Sequence, residues 1–178
     1  MKRKTKKPKI KGENILEIVD QIGKEVNQIL KERRTEKYFY ALVLLYSFIE
    51  NLLKHLCLID TFWKQAQEGI IGDEVTKELV EYYFDRLNFR NIIDKAFNKQ
   101  LVDSEIKNKA HKLRKHRNKF IHQCWLYKRD PRYLKKELEL AIAVVNPLIE
   151  KLNSLHEETG VLDLYAPSVF CKSRQRDC

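Results

Sequence analysis

Apolar side chains recur every three or four residues along most of the chain, which is the spacing of one buried face on an α-helix. This pattern and the residues that interrupt it predict five helices, with a shorter helical piece between the third and the fourth. The five cover 14–34, 36–59, 74–87, 105–125 and 132–157, and the short piece covers 92–97. No strand pattern competes with them. We therefore predict an all-α fold, an antiparallel bundle of four or five helices.

Polar residues and a proline mark where these helices should begin or bend. Asp73 is the predicted N-cap of the third helix, and Ser104, with Asp103 before it, of the fourth. Asp130-Pro131 is typical of an N-cap followed by a first helical residue, here for the fifth helix. Pro147 should kink that helix because proline cannot donate the backbone hydrogen bond.

The second helix is apolar around most of its circumference, so we expect it to be central to the bundle or shared with a second subunit. The helical pattern as a whole occupies 14–160, which predicts one domain of ordinary size. Residues 1–11 carry seven Lys or Arg and no acid, and we predict a basic disordered arm over 1–13. Residues 161–178 lack a periodic pattern and should form an irregular C-terminal tail.

Neither a membrane helix nor a secretory signal is expected from this sequence. The longest uncharged run, Tyr38–Ile49, has twelve residues, whereas a bilayer span needs about 20. The basic start is not followed by an apolar segment. The four cysteines lack the short spacings of a zinc site or redox motif, so we expect reduced thiols, no metal, no cofactor and a cytoplasmic protein. They are Cys57, Cys124, Cys171 and Cys178.

Residues 1–11 alone carry +7 of the net charge of +10, but a second basic region lies inside the predicted domain. From Ile106 to Arg129 the chain carries nine Lys or Arg, three His and no acid. Such a block is typical of a surface that faces phosphates. It is equally consistent with a solvated helix face whose counter-charges come from other helices. Charge alone leaves both interpretations open.

The fourth helix breaks its own pattern at one position. On a helical wheel, Ile106, Ala110, Leu113 and Phe120 share a face with Cys124, and Arg117 falls in the middle of that face. A guanidinium stays charged and is costly to bury without an anion. The residues therefore predict either a phosphate ligand or an ion pair.

If Arg117 forms an ion pair, Glu50 on the second helix is the leading candidate for its partner. A second, polar face of the fourth helix carries His122 and Asn118, which are close enough for the amide to orient the imidazole. Arg117 and His122 are about 140° apart and ~7.5 Å apart along the axis. They therefore do not share a face. The other members of the polar face are His111 and Lys115.

The string from Arg117 to His122 resembles the Arg-x4-6-His motif of the HEPN superfamily, with a polar residue, Asn118, directly after the arginine. Its setting is similar too, since it lies late in an all-α domain behind an apolar second helix that carries the acid Glu50. The resemblance extends over about 14–157 and includes neither basic arm nor tail.

This resemblance implies a metal-independent endoribonuclease that acts on single-stranded RNA as a homodimer, with two motifs facing each other. By position, Arg117 would contact the scissile phosphate and His122 would act as general acid or base. Asn118 would hold the imidazole or contact phosphate, and Glu50 would orient Arg117. Flanking RNA contacts would come from Lys115, His116 and Lys119.

The family setting implies a toxin or phage-defence protein, and with it an antitoxin or regulatory partner. One form of control is poorly supported: the tyrosine that receives a regulatory modification in some relatives is Cys124 here. The alternative is a non-catalytic helical module that binds RNA or a protein. A small basic DNA-binding protein is a third class, but no short-turn helix pair of the helix-turn-helix kind supports it.

Overall fold

The computed structural model describes the backbone of residues 15–70, 72–122 and 131–159, and the side chains of 21–70, 72, 74–120 and 132–159. Within these ranges the chain forms six α-helices and no strand, which confirms the all-α prediction. The predicted arm, 1–13, and tail, 161–178, lie outside the described residues. The helices are α1 Ile15–Lys31, α2 Tyr38–Gln67, α3 Asp73–Glu81, α4 Phe89–Asn98, α5 Ser104–His122 and α6 Pro131–Thr159.

Helix α2 is the centre of the bundle, as its nearly continuous apolar circumference predicted. It packs against α1, α3, α4, α5 and α6, most extensively against α6. Residues such as Leu45, Ile49, Leu53 and Leu56 are fully buried along it. Each apolar side chain removed from water in this way stabilises the fold by about 1.5–3 kcal/mol before entropy is counted.

The stretch Thr35–Gln67, which contains α2, is long and apolar enough to cross a membrane by length and composition. In the structure, however, 61% of its most apolar window is buried inside the bundle. A core helix packed on most sides passes the same test of length and composition. The stretch is the central helix of the bundle, and its length and composition alone are weak evidence for a membrane span.

Two of the predicted helix caps are displaced by one residue. The Asp103 carboxylate accepts a hydrogen bond from the Ile106 backbone N–H at 2.7 Å, so Asp103 is the residue that caps α5 and Ser104 is already helical. Helix α3 begins at Asp73 itself, with Gly72 at the N-cap position and no side-chain cap. The predictions of Ser104 and Asp73 as caps were therefore wrong.

The predicted third helix is also shorter than its pattern suggested. Helix α3 ends at Glu81, and a π-helical turn, Tyr82–Arg86, follows it. The short piece predicted at 92–97 is instead the ten-residue helix α4, capped by Asn88, whose side chain accepts from the Asn91 N–H at 3.0 Å. Pro147 lies inside α6, and the helix continues past it to its end at Thr159.

Helices α1 and α4 end in the same way, with a residue in the left-handed region. Arg33 has φ of 53° and Gln100 has φ of 60°. In each case the next backbone N–H bonds back to the helix, Arg34 to the Ile29 carbonyl and Leu101 to the Ala96 carbonyl, both at 3.0 Å. This is the Schellman arrangement, in which glycine usually occupies the left-handed position. A residue with a side chain costs free energy in this left-handed conformation. The hydrogen bonds, however, fix the backbone from which the side chain extends.

Candidate functional site

The rotation of α5 is fixed by the apolar stripe that the sequence predicted. Ile106, Ala110, Leu113 and Phe120 are all buried in the core. Phe120 in particular lies in an aromatic cluster, with the centroid of its ring 5.7 Å from that of Phe39, 6.5 Å from Tyr46 and 6.2 Å from Tyr133. This packing turns the Arg117 side chain, one turn earlier, towards α2 and α4.

Arg117 forms the ion pair with Glu50 that the sequence suggested. Its Nη1 donates to Glu50 Oε2 at 2.8 Å, and its Cζ lies 5.7 Å from the centre of the Phe89 ring. The other Glu50 oxygen, Oε1, is 3.1 Å from the Lys54 Nζ. Lys54 also donates to the Phe84 backbone carbonyl at 3.1 Å. The guanidinium is thus one member of a chain of polar contacts that joins α5, α2 and the π-helical turn.

The Arg117 guanidinium still reaches solvent, because 31% of the side chain is exposed, against 17% for Glu50. Among the described residues its hydrogen bonding to Glu50 uses one nitrogen only. A planar guanidinium has five N–H donors and suits bidentate contact with phosphate. The geometry therefore lets one side of Arg117 be held by the acid while another side contacts an external anion.

His122 is the last residue of α5, and its side chain lies outside the described residues. The helical backbone continues through it, so the separation of about 140° from Arg117 holds for the two Cα positions. Cys124 lies outside the described residues as well. Within one copy of the chain, the two residues of the motif start from different faces of the same helix.

The outer face of α5 carries a row of lysines. Lys112, Lys115 and Lys119 are exposed, and their spacing of three and four residues places them on one side of the helix. No carboxylate of a described residue pairs with any of them. Asn118 is exposed beside this row, about 60° round the helix from Lys115. We call Lys112, Lys115 and Lys119 the lysine row.

Other charges of the acid-free block do find acids on neighbouring elements. His116 Nδ1 is 2.6 Å from the buried Glu137 Oε2 on α6, so that one ring nitrogen of this predicted RNA contact is already engaged. His111 Nε2 is 3.0 Å from Asp94 Oδ1 on α4, and Lys107 Nζ is 3.4 Å from the same oxygen. The block therefore divides into a compensated side that faces the bundle and the lysine row that faces outwards.

The pKa of Asp94 reflects this compensation. Partial burial acts to raise it, but the hydrogen bond from His111 and the charges of His111 and Lys107 outweigh burial and lower the pKa below its usual value.

Sequence reasoning missed Asp94 and Glu137 as partners. Both pairs join residues 17 or more positions apart on different helices, and no local pattern signals such a contact.

Helix α2 carries a second paired acid ten residues after Glu50. Asp60 Oδ2 accepts from Lys99 Nζ at 2.6 Å, and Asp60 Oδ1 is 2.9 Å from Lys64 Nζ. Burial acts to raise the pKa of Asp60, but the hydrogen bonds from Lys99 and Lys64 outweigh it and the pKa is lowered. Nearby, burial raises the pKa of the Cys57 thiol to about 12. The buried thiol agrees with the reduced core cysteine expected from the sequence.

Between these two acids lies His55, half-buried on α2. The centroid of its ring is 4.7 Å from that of Phe84, edge to face. Burial lowers the pKa of His55 to about 4, and the charge of His156 on α6 acts in the same direction. This imidazole is therefore neutral at ordinary pH and belongs to the packing of the bundle.

No three His, Cys, Asp or Glu side chains within the described ranges are grouped so that they could hold a metal ion. Comparison with known proteins adds no relative: no family model, no curated protein and no solved structure matches this chain. The resemblance to the HEPN superfamily consequently rests on the residues from Arg117 to His122, on Glu50 and on the helical setting of both.

Proposed function

We propose that the protein is a metal-independent endoribonuclease that cleaves single-stranded RNA in the cytoplasm, in a toxin or phage-defence setting. The observation that carries the proposal is the state of Arg117: a partly exposed guanidinium, held by Glu50 from one side and on the same helix as His122. An arginine fixed in this way is suited to offset negative charge that grows on a phosphate during reaction.

The proposed chemistry is transesterification. One His122 imidazole removes the proton from the 2'-hydroxyl, and the 2'-oxygen attacks the neighbouring phosphorus. The bond from phosphorus to the 5'-oxygen breaks, and a second imidazole, protonated, gives its proton to that oxygen. The products are a 2',3'-cyclic phosphate and a 5'-hydroxyl. An imidazole with an ordinary pKa near 6.5 can fill either role close to neutral pH.

We propose that the second imidazole, and the approach of His122 to Arg117, come from a second copy of the chain. On α2, Val43, Ser47 and Glu50 follow one another at helical spacing, and Tyr40 precedes them. Tyr40 and Val43 are large apolar residues left 47% and 44% exposed. The Tyr40 hydroxyl also donates to Glu25 Oε2 at 3.4 Å. The surface leads along α2 to the Glu50–Arg117 pair, so two copies meeting there would bring both pairs to one groove.

The test of the chemistry compares the wild type with Arg117→Ala and His122→Ala on end-labelled RNA in excess EDTA. We expect cleavage by the wild type, a cyclic phosphate on the upstream fragment, and loss of cleavage in both variants while circular dichroism stays helical. Undiminished cutting by His122→Ala would reject the assignment. A requirement for added metal would reject it too.

The test of the dimer uses Val43→Glu, with Val80→Glu on α3 as the matched control. Val80 is 43% exposed, almost the same as Val43, but lies on another helix. We expect the mass in solution to be that of a dimer for the wild type and Val80→Glu, and that of a monomer without activity for Val43→Glu. A wild type that stays monomeric at micromolar concentration while it cleaves RNA contradicts the composite site.

A second candidate function, a helical module that binds RNA without cutting it, is favoured by the lysine row. Lys112, Lys115 and Lys119 project from one face without described carboxylate partners, as expected of a surface that contacts phosphates. The same RNA assay separates the two functions. Binding without cleavage by the wild type would support the module, whereas growth inhibition on expression, relieved by His122→Ala, would support the toxin.

A further inference from the structure

A cleft of about 610 Å³ opens at the end of the bundle where α1 ends and where α2 and α6 begin. Three of its lining residues are cationic: Arg33 follows α1, and Arg132 and Lys135 lie in the first turns of α6. Thr35 and Tyr38 form part of its wall, and Glu139 is its one described acid. The cleft therefore combines residues from three separate parts of the sequence around a concave, positively charged surface.

The single acid does not cancel this charge. Glu139 Oε1 lies 3.8 Å from Lys135 Nζ, and both side chains are about 60% exposed. A surface pair of this kind contributes about 0–1 kcal/mol and is easily exchanged for another partner. Among the lining residues that the structure describes, three are cations and one is an acid.

The Arg33 side chain extends from a backbone that hydrogen bonds hold in place. Its backbone is held in the left-handed region, with the Arg33 N–H bonded to the Leu30 carbonyl at 3.2 Å and the Arg34 N–H bonded to the Ile29 carbonyl at 3.0 Å. The equivalent position after α4 is Gln100, which has the same geometry but does not line this cleft. Arg33 and Gln100 thus form a natural pair for comparison.

The cleft lies at the same end of the bundle as the last turn of α5. The Phe120 ring, one turn after Arg117, stacks on the Tyr133 ring and also contacts the Phe39 ring. Tyr133 directly follows Arg132, and Phe39 directly follows Tyr38, so the two aromatic contacts tie the cleft residues to α5. A polyanion that reaches Arg117 could therefore continue along this end of the molecule.

We propose that this cleft binds backbone phosphates of the RNA strand that the Arg117–His122 site cleaves. The inference rests on the proposed function and assigns its substrate a second contact, away from the scissile bond. Phosphate is the chemistry that two arginines and a lysine in a concave, solvent-filled site suit best. This contact should not depend on the RNA sequence, because it is made to the RNA backbone and not to the bases.

The experiment measures binding of a labelled, mixed-sequence single-stranded RNA by fluorescence anisotropy in EDTA, with His122→Ala as the non-cleaving background. Into this background we introduce Arg33→Gly together with Lys135→Gln. We expect Kd to rise about tenfold at low salt, and the slope of log K against log salt to fall in magnitude by about 1.4 between about 50 and 200 mM salt. Gln100→Gly is the matched control and should leave both values unchanged.

The outcomes separate the cleft from the catalytic proposal. An unchanged Kd and slope in the double variant would overturn the cleft as an RNA site, even if the wild type cleaves RNA. A higher Kd with a smaller slope supports it, even if no cleavage is found. Loss of folding does not confuse the result, because Arg33→Gly relieves a left-handed side chain and should, if anything, stabilise the bundle.

Discussion

Two acids on the same helix, Glu50 and Asp60, are paired in the same pattern, although the lysine beside Glu50 is buried and the lysine beside Asp60 is 57% exposed. Each pairs with a lysine four residues later on α2, Lys54 for Glu50 and Lys64 for Asp60. Each also pairs with one cation from another part of the bundle, Arg117 for Glu50 and Lys99 for Asp60. We call these three-residue groups the Glu50 centre and the Asp60 centre.

The two centres also differ in the outer cation. Lys99 follows α4 in a loop whose next residue is the left-handed Gln100, whereas Arg117 lies on a helix that leads to His122 and carries the lysine row. The Asp60 centre shows that this bundle uses paired acids on α2 simply to hold neighbouring elements. An ion pair between Glu50 and Arg117 is therefore not by itself a sign of catalysis, and the Asp60 centre is the control against which it must be judged.

The largest expected difference is in cleavage. We predict that Arg117→Ala lowers the single-turnover rate of RNA cleavage in EDTA by about 100-fold or more, since the proposed mechanism uses Arg117 to offset transition-state charge. Lys99→Ala, which opens the Asp60 centre in the same way, should stay within about twofold of the wild type, because Lys99 would contact no substrate. Equal loss of activity in both variants would mean that Arg117 acts only through folding.

The second prediction concerns stability, where the Glu50 centre should contribute more. Glu50→Ala should lower the free energy of unfolding by about 3 kcal/mol, because it leaves the buried Lys54 and the partly buried Arg117 without their acid. Asp60→Ala should lower it by less, because Lys64 is 57% exposed and only Lys99 is partly buried. Urea unfolding followed by circular dichroism measures both changes. Double-mutant cycles with Arg117→Ala and Lys99→Ala give the coupling of each pair. A coupling energy near zero at only one centre would show that the acid and the outer cation of that centre do not stabilise the fold together.

The third prediction uses His55, which lies five residues from each acid and reports on the helix between them. Its pKa is lowered from 6.5 to about 4 in the folded protein, so the unfolded chain takes up a proton first as the pH falls. Stability should be complete above pH 6.5 and fall below it, by about 2 kcal/mol between pH 7 and pH 5. His55→Leu should remove most of this dependence in urea unfolding at the two pH values.

The control for that measurement is His111→Gln, on α5, which should keep the pH dependence. The Asp60 centre does not interfere in this window. The pKa of Asp60 is lowered below 3.8, so the stability it contributes is present above that value and is lost only at lower pH. A wild type whose stability is flat between pH 7 and pH 5 would contradict the burial of His55.

The smallest expected effect is at the loop that carries Lys99. We predict that Gln100→Gly raises stability by about 1 kcal/mol, because glycine adopts the left-handed conformation without steric cost. Arg33→Gly should do the same at the end of α1. Thermal unfolding measures both, and a lower melting temperature for either variant would show that its side chain packs favourably in spite of the strain.

The helical periodicity was enough to predict the α5 stripe and the central place of α2. Burial of Leu113 and Phe120 follows from spacing alone, since the core has to lie on the side where apolar residues recur. The pairing of Arg117 with Glu50 was one of the two alternatives that the sequence left open, because a guanidinium on an apolar face needs an anion. These expectations depend on local pattern plus one strong electrostatic constraint.

What the sequence could not supply were contacts without a local signal. Asp103 and Ser104 are both good caps, and only the structure shows which side chain reaches the Ile106 N–H. The π-helical turn after Glu81 interrupts a pattern that reads as one continuous helix. The cleft around Arg33 and Lys135 joins residues about a hundred positions apart, so no window of sequence contains it.

Cys57 gives this molecule a built-in reporter of core opening. Its thiol is buried on α2, and because burial raises its pKa to about 12, very little thiolate exists in the folded protein at neutral pH. The thiolate is the nucleophile that attacks an alkylating reagent, so modification of this sulfur has to wait until the central helix separates from its neighbours. In a variant whose other three cysteines are replaced by serine, the alkylation rate of the Cys57 sulfur therefore measures how often the core opens.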